Sequence, residues 1–196
     1  MRRLTFYFLL LLICSAAMGQ TRVLLKTAGK LYRVGEEQRM KDNVVLVQGN
    51  TTIYCDSARV NTITNSAKAY GHVRIIDNVD PIDISSDYLE YDGNERMAKL
   101  RRNVIMKDDS VTLYTDSLNY NRLTEVGNYF NGGKLVDATN VLTSDFGFYL
   151  ARTKEAEFYK EVDMVNPDFK LKTDTLFYNT TTSEARTKGR TLGITA

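Results

Sequence analysis

One eight-residue pattern occurs five times in this chain at nearly constant spacing, and a repeat of that kind restricts the fold more than any local propensity does. It reads Ile-Tyr-Cys-Asp-Ser-Ala-Arg-Val up to Val60 and Ile-Ser-Ser-Asp-Tyr-Leu-Glu-Tyr up to Tyr91. It returns as Leu-Tyr-Thr-Asp-Ser-Leu-Asn-Tyr up to Tyr120, Leu-Thr-Ser-Asp-Phe-Gly-Phe-Tyr up to Tyr149 and Leu-Lys-Thr-Asp-Thr-Leu-Phe-Tyr up to Tyr178. The shared aspartates are Asp56, Asp87, Asp116, Asp145 and Asp174, separated by 31, 29, 29 and 29 residues. Eleven residues after each comes a small residue: Ala67, Ala98, Gly127, Ala156 and Ala185. Two further on stand Ala69, Leu100, Tyr129, Phe158 and Thr187, and four beyond these Val73, Val104, Gly133, Val162 and Thr191. Even steps put such side chains on one face of an extended strand, so each unit reads as two strands and two turns.

Within the pattern the parity changes. Ile53, Ile84, Leu113, Leu142 and Leu171 lie three before the aspartates, and Ala58, Leu89, Leu118, Gly147 and Leu176 lie two after. A regular strand would send these two sets to opposite faces, so either both faces are covered or, the favoured reading, a bulge or bend near the aspartate returns them to one side. Such a bend, repeated down a stack, curls the sheet into a groove with the carboxylates bonding backbone amides at the corner. Turn chemistry is present at Asp92-Gly93-Asn94, Asn131-Gly132-Gly133 and residues 179–183. After residue 20 no stretch keeps helical spacing, while Val, Ile, Thr, Tyr and Phe fill the candidate strands. The expectation is an all-β chain of about ten to twelve strands, built from about five two-strand repeats.

The chemistry-bearing residues argue against catalysis. His72 is the only histidine, which leaves no histidine-rich zinc site and suits a solvated or capping role. Cys55 reads as a small buried strand residue. One aspartate per unit does not make a calcium repeat, and no nucleophile elbow, phosphate loop or redox pair is present. No catalytic residue, metal ligand or cofactor is expected. With Lys+Arg of 26 against Asp+Glu of 24 the chain also lacks the basic footprint of a nucleic-acid binder.

Residues 1–19 have the succession of an export signal: Arg2 and Arg3, an apolar run from Leu4 to Ile13, and small residues ending at Gly19 before Gln20. Cleavage there is expected to leave 20–42 as a lead-in strand region and 43–196 as the repeat domain. The alternative is an uncleaved membrane anchor, although the run is shorter than a spanning helix needs. Removal of Cys14 with the signal would make Cys55 the sole thiol, so no internal disulfide could form.

The cores Asp87-Tyr88-Leu89-Glu90-Tyr91 and Asp116-Ser117-Leu118-Asn119-Tyr120, alternating with the Ala-x-Ala-Tyr-Gly-His-Val segment at residues 67–73, resemble the OstA-like, LptA-type domain of lipopolysaccharide transport. The resemblance covers about residues 43 to 190. It implies an open, twisted β-jellyroll or V-shaped stacked sheet that carries lipid A acyl chains of lipopolysaccharide, or a related glycolipid, across the periplasm. It also implies docking onto related β-jellyroll domains by edge-strand pairing, including head-to-tail homo-oligomers, in a bridge to the outer membrane. The leading strand at residues 44–47 and the last at 184–188 are the expected edges. The apolar register nominates Leu89, Tyr91, Leu118, Tyr120, Phe158, Val162, Leu176 and Tyr178 as the groove lining. Gly133, Gly147 and Thr191 depart from the pattern and leave open whether the groove is continuous through the later repeats. A secreted β-solenoid, structural or adhesive and without lipid cargo, is the rival reading, distinguished by a filled interior.

Overall fold

A computed structural model describes residues 21–79, 81–109 and 111–195. The expected export signal lies outside these. Among the described residues, thirteen strands form one antiparallel sheet: β1 (Leu24–Thr27), β2 (Lys30–Val34), β3 (Glu37–Gln48), β4 (Thr51–Asn61), β5 (Ser66–Asp77), β6 (Ile82–Asp92), β7 (Met97–Asp108), β8 (Val111–Asn121), β9 (Val126–Val136), β10 (Val141–Leu150), β11 (Glu155–Val165), β12 (Phe169–Asn179) and β13 (Ala185–Thr195). From β3 onward each strand pairs with the next in the chain, while β1 and β2 lie end to end along β3. The sheet does not close, and the all-β, open stacked architecture read from the repeat is the observed one.

Two details differ. The strand count exceeds twelve because β1 and β2 precede the repeat and carry none of its motif. They also cover most of the segment expected as the leading edge: Leu24 stands opposite Val47, Leu25 opposite Leu46 and Thr27 opposite Val45, so residues 45–47 are paired on both sides. The first edge is therefore β1 with β2. At the other end β13 is the edge, as expected.

Every long strand is bent at its middle. The odd strands carry left-handed residues there, at Asp42 and Asn43, Gly71 and His72, Arg102 and Asn103, Asn131 and Gly132, Lys160 and Glu161, and Gly189. The pairing register jumps at the same places, between Tyr54 and Ser57 against β5 and between Arg101 and Val104 against β8, for example. These are the bulges of the favoured reading of the parity change. The Asn131-Gly132 step is thus a bend inside β9 and not a turn between strands, a correction to the sequence reading. Carboxylates brace the corner: Asp116 Oδ1 accepts the Asn103 amide at 3.2 Å and Asp174 Oδ2 the Arg190 amide at 2.9 Å. Asp87 accepts Asn103 Nδ2 at 2.8 Å. At Gly71, with φ of +71°, a Cβ would stand 2.2 Å from Asp56 Oδ2, so only glycine fits both the backbone and the carboxylate.

The bends divide the sheet into two leaves. The first holds the strand halves joined through the turns near residues 49, 79, 109, 138 and 167. The second holds the halves joined through residues 62–65, 93–96, 122–125, 151–154 and 180–184. In four turns of the second leaf an Asn or Asp (Asn61, Asp92, Asn121, Asn179) accepts amides two and three residues on. Residues Asn65, Arg96, Glu125 and Lys154 close their turns at positive φ. Their carbonyls accept the amides of Gly93, Arg122, Ala151 and Thr180 in the next turn, which stacks one unit on another. Both sets of turns converge on the side opposite the corners, here called the rim.

Candidate functional site

Between the leaves lies one continuous apolar interior. Ile53, Val73, Ile75, Ile84, Val104, Met106, Leu113, Leu135, Leu142 and Met164 face it from the first leaf; Ala58, Ala69, Leu100, Tyr129 and Tyr149 face it from the second. All eight residues nominated for the groove belong to the same buried cluster: Leu89, Tyr91, Leu118, Tyr120, Phe158, Val162, Leu176 and Tyr178, none more than 3% exposed. Val162 is on the first leaf and the other seven are on the second. The interior ends at β12, because every side chain described in β13 up to residue 193 is exposed.

The space at Gly133 and Gly147, where continuity was open, is filled. A Cβ on Gly133 would fall 2.3 Å from the Tyr129 ring, and one on Gly147 would fall 2.5 Å from the Tyr129 hydroxyl. The ring of Tyr129 therefore occupies the volume that both glycines vacate, and its hydroxyl bonds Ser144 Oγ at 2.6 Å. Burial pushes the Tyr129 phenol up to about 12. One large residue where other units carry Ala69 or Leu100 thus compensates two small ones, keeping the packing density of an interior. Thr191 makes no such replacement and bonds Thr173 at the edge.

The rim is polar, and its groups reach from leaf to leaf. Gln48, at the end of β3, accepts the Tyr91 hydroxyl at 2.6 Å through Oε1 and donates to the Gly93 carbonyl at 2.7 Å through Nε2. Asp77, at the end of β5, pairs with Arg122, both largely buried. Asp108, at the end of β7, accepts the Tyr149 hydroxyl at 2.6 Å and Lys154 Nζ at 2.6 Å, its carboxylate fully buried. Asp137, after β9, accepts the Tyr178 hydroxyl, which in turn accepts Asn140 Nδ2 at 2.9 Å.

Burial, then the adjacent Asp108 carboxylate, drive the Tyr149 phenol far above its usual value. Burial works against the Lys154 ammonium, but its bonds to Asp108 and Asp109 outweigh it and raise the pKa. Burial alone would raise Asp137; the Tyr178 hydroxyl and the amides of Thr139 and Asn140 together hold it below the usual carboxylate value. At the N-terminal end the chain itself crosses the rim, with Thr21 O accepting Gln48 Nε2 and the Val23 amide donating to Asn65 Oδ1 at 2.8 Å.

The remaining sequence candidates lie elsewhere. His72 sits on the exposed corner with its side chain 91% accessible and Nδ1 2.8 Å from Asp56 Oδ2, the solvated position expected of it. Cys55 is buried within the interior cluster, and desolvation pushes its thiol up to about 11. The rim clasps were not nominated from sequence. Their signal was present as a second column, Gln48, Asp77, Asp108 and Asp137, in step with Tyr91, Tyr120, Tyr149 and Tyr178.

The family of OstA-like proteins matches residues 21–174 of this chain. No curated protein matches. Among solved structures, LptH of Pseudomonas aeruginosa, described as the LptA-homologous periplasmic component of the conserved lipopolysaccharide transport device, superposes with a TM-score of 0.54 at 12% identity. The superposition covers 59% of this chain and 95% of that one. At that identity it speaks to the fold.

Proposed function

Since the chain belongs to the OstA-like protein family, we propose that it is a periplasmic carrier of lipopolysaccharide or a related glycolipid, with the acyl chains received between the two leaves. The observation that carries this reading is the uninterrupted apolar interior, running from β3 to β12 inside a sheet that never closes. Each buried CH₂ is worth roughly 0.8 kcal/mol, so a multi-chain lipid is held by area alone with no catalytic group. Leu89, Tyr91, Leu118, Tyr120, Phe158, Leu176 and Tyr178 would line one wall of the cargo site and Val162 the other. The two edges, β1 with β2 and β13, offer unpaired backbone groups to a related jellyroll domain or to a second copy, which fits a head-to-tail bridge toward the outer membrane. Export across the inner membrane by the signal at residues 1–19 belongs to the same proposal.

A second reading, a secreted β-solenoid without cargo, draws on the filling of that interior by the protein's own side chains. A photoreactive side chain at Phe158 in cells separates them, with the exposed Tyr114 as control. Glycolipid adducts at residue 158 and none at 114 are expected of the carrier. Adducts at neither position, together with no lipid by mass spectrometry of the purified protein, would leave the scaffold.

A further inference from the structure

The nominated lining residues are shut away between the two leaves, so an apolar guest must part the leaves to reach them. They cannot part at the corner, where every long strand runs unbroken from one leaf to the other. Parting is possible at the rim, where leaf meets leaf through side chains: Gln48 with Tyr91, Asp77 with Arg122, Asp108 with Tyr149 and Lys154, and Asp137 with Tyr178.

We propose that this row of clasps is the gate of the interior, and that an acyl chain enters sideways through the rim as the clasps release. The inference rests on the carrier reading for its guest, but the gate itself is a property of the apo protein. Three features fit a gate better than a permanent seam. The clasps are hydrogen bonds and ion pairs between groups that water can solvate once exposed, so opening exchanges partners without tearing apart a ladder of backbone bonds. The groups stand at strand ends and turns, where a small rotation about the corner gives the largest displacement. The corner carries the paired left-handed residues that a hinge line needs, repeated in five successive odd strands and continued by Gly189 in the last.

The protein supplies its own reporter. Cys55 lies on β4, within the span bridged by the first clasp, and is buried against reagents. In a Cys14→Ser background it is the single thiol of the chain. Its rate of maleimide labelling would be compared in three proteins: this background, the rim variant Tyr91→Phe, and the corner variant Asp116→Ala, each with its urea unfolding midpoint measured. Tyr91→Phe is expected to raise the labelling rate about tenfold, since Gln48 Oε1 loses its buried partner. Asp116→Ala is expected to leave the rate within about twofold, although it too costs a hydrogen bond. Equal acceleration by both variants, tracking loss of global stability, would overturn the gate, because labelling then proceeds through unfolding. No acceleration by folded Tyr91→Phe would overturn it as well. Adding lipopolysaccharide tests the other premise: protection of Cys55 supports the guest, whereas rim-specific acceleration without protection keeps the gate and removes lipopolysaccharide as cargo.

Discussion

The corner and the rim are opposite margins of the same two leaves, and they are held by different means. At the corner the covalent chain passes through, paired left-handed residues set the bend, and the bracing carboxylates are exposed and reach nearby amides. At the rim the leaves meet through side chains, among them tyrosines, carboxylates, Gln48 and two cations, with residues 21–23 crossing at the N-terminal end. Shape is thus written in backbone conformation on one side and closure in side-chain chemistry on the other. A substitution at the corner acts on how well the strand bends. At the rim it acts on whether two finished surfaces stay together.

The largest effect should come from Asp108→Ala. It strands the Tyr149 hydroxyl and deprives Lys154 of its buried partner, leaving Asp109 alone, and breaking such a pair from one side costs about 3 kcal/mol. Chemical denaturation should show the loss, and a change below about 1 kcal/mol would remove the distinction between the margins.

Alkaline pH should act on the rim next. Burial raises the Tyr91 phenol from 10.0 to about 12, so the folded state favours the neutral form. That contribution is complete below the unfolded value near 10.0 and is lost as pH rises through about 12. Melting followed across this window should fall more steeply for the native protein than for Tyr91→Phe. Parallel curves would place the alkaline sensitivity elsewhere.

Gly71→Ala probes the corner through its backbone. The left-handed φ costs about 1–2 kcal/mol for a residue with a Cβ, and Asp56 must also move. Stability should drop by that amount while the accessibility of Cys55 stays as it was. Faster Cys55 labelling beyond what the lost stability explains would show that bend and closure are coupled.

The smallest effect is the ionisation of His72. Its bond to Asp56, then the carboxylate's charge, raise its pKa above 6.5. The sign is the same as for Tyr91, at a lower pH: the favourable pairing is full below 6.5 and fades as pH climbs through the raised value. The group is fully solvated, so the readout is the proton NMR titration of the single histidine. Asp56→Asn should bring it back toward 6.5, and an unmoved titration would detach the histidine from the corner.

The sequence disclosed the corner better than the rim, for a physical reason. A parity break within six residues, from Leu113 to Leu118, is a local signal, and only a bulge reconciles it with one buried face. The same local habit misled at Asn131-Gly132, whose composition is that of a hairpin turn; the matching bends at Gly71 and His72 and at Arg102 and Asn103 show the shared place in the unit. β1 and β2 were legible only as a lead-in strand region, because they carry no aspartate motif and β2 buries nothing. The clasps join residues 43 and 41 positions apart, as in Gln48 with Tyr91 and Asp137 with Tyr178, and glutamine at the first place hides the acidic column. Tyr129 was visible only as an oversized member of a column of small and apolar residues. Its meaning required the two glycines beneath it.

The clasps are also oblique. Gln48 ends β3 and Tyr91 belongs to β6; Asp108 ends β7 and Tyr149 belongs to β10; Asp137 follows β9 and Tyr178 belongs to β12. Asp77 of β5 meets Arg122 just beyond β8 in the same stagger. Each bond therefore spans more than one unit, and consecutive spans overlap like the courses of a brick wall. A stack coupled only between nearest neighbours can melt from either end, unit by unit. Here no cut between β3 and β12 avoids every clasp, so those ten strands should be lost in a single cooperative step, whereas β2 and β13, outside the bond pattern, are free to fray beforehand. Hydrogen exchange would then divide the protein into an interlocked middle and two loosely held margins, and those margins are the edges that a neighbouring sheet would need to find uncommitted.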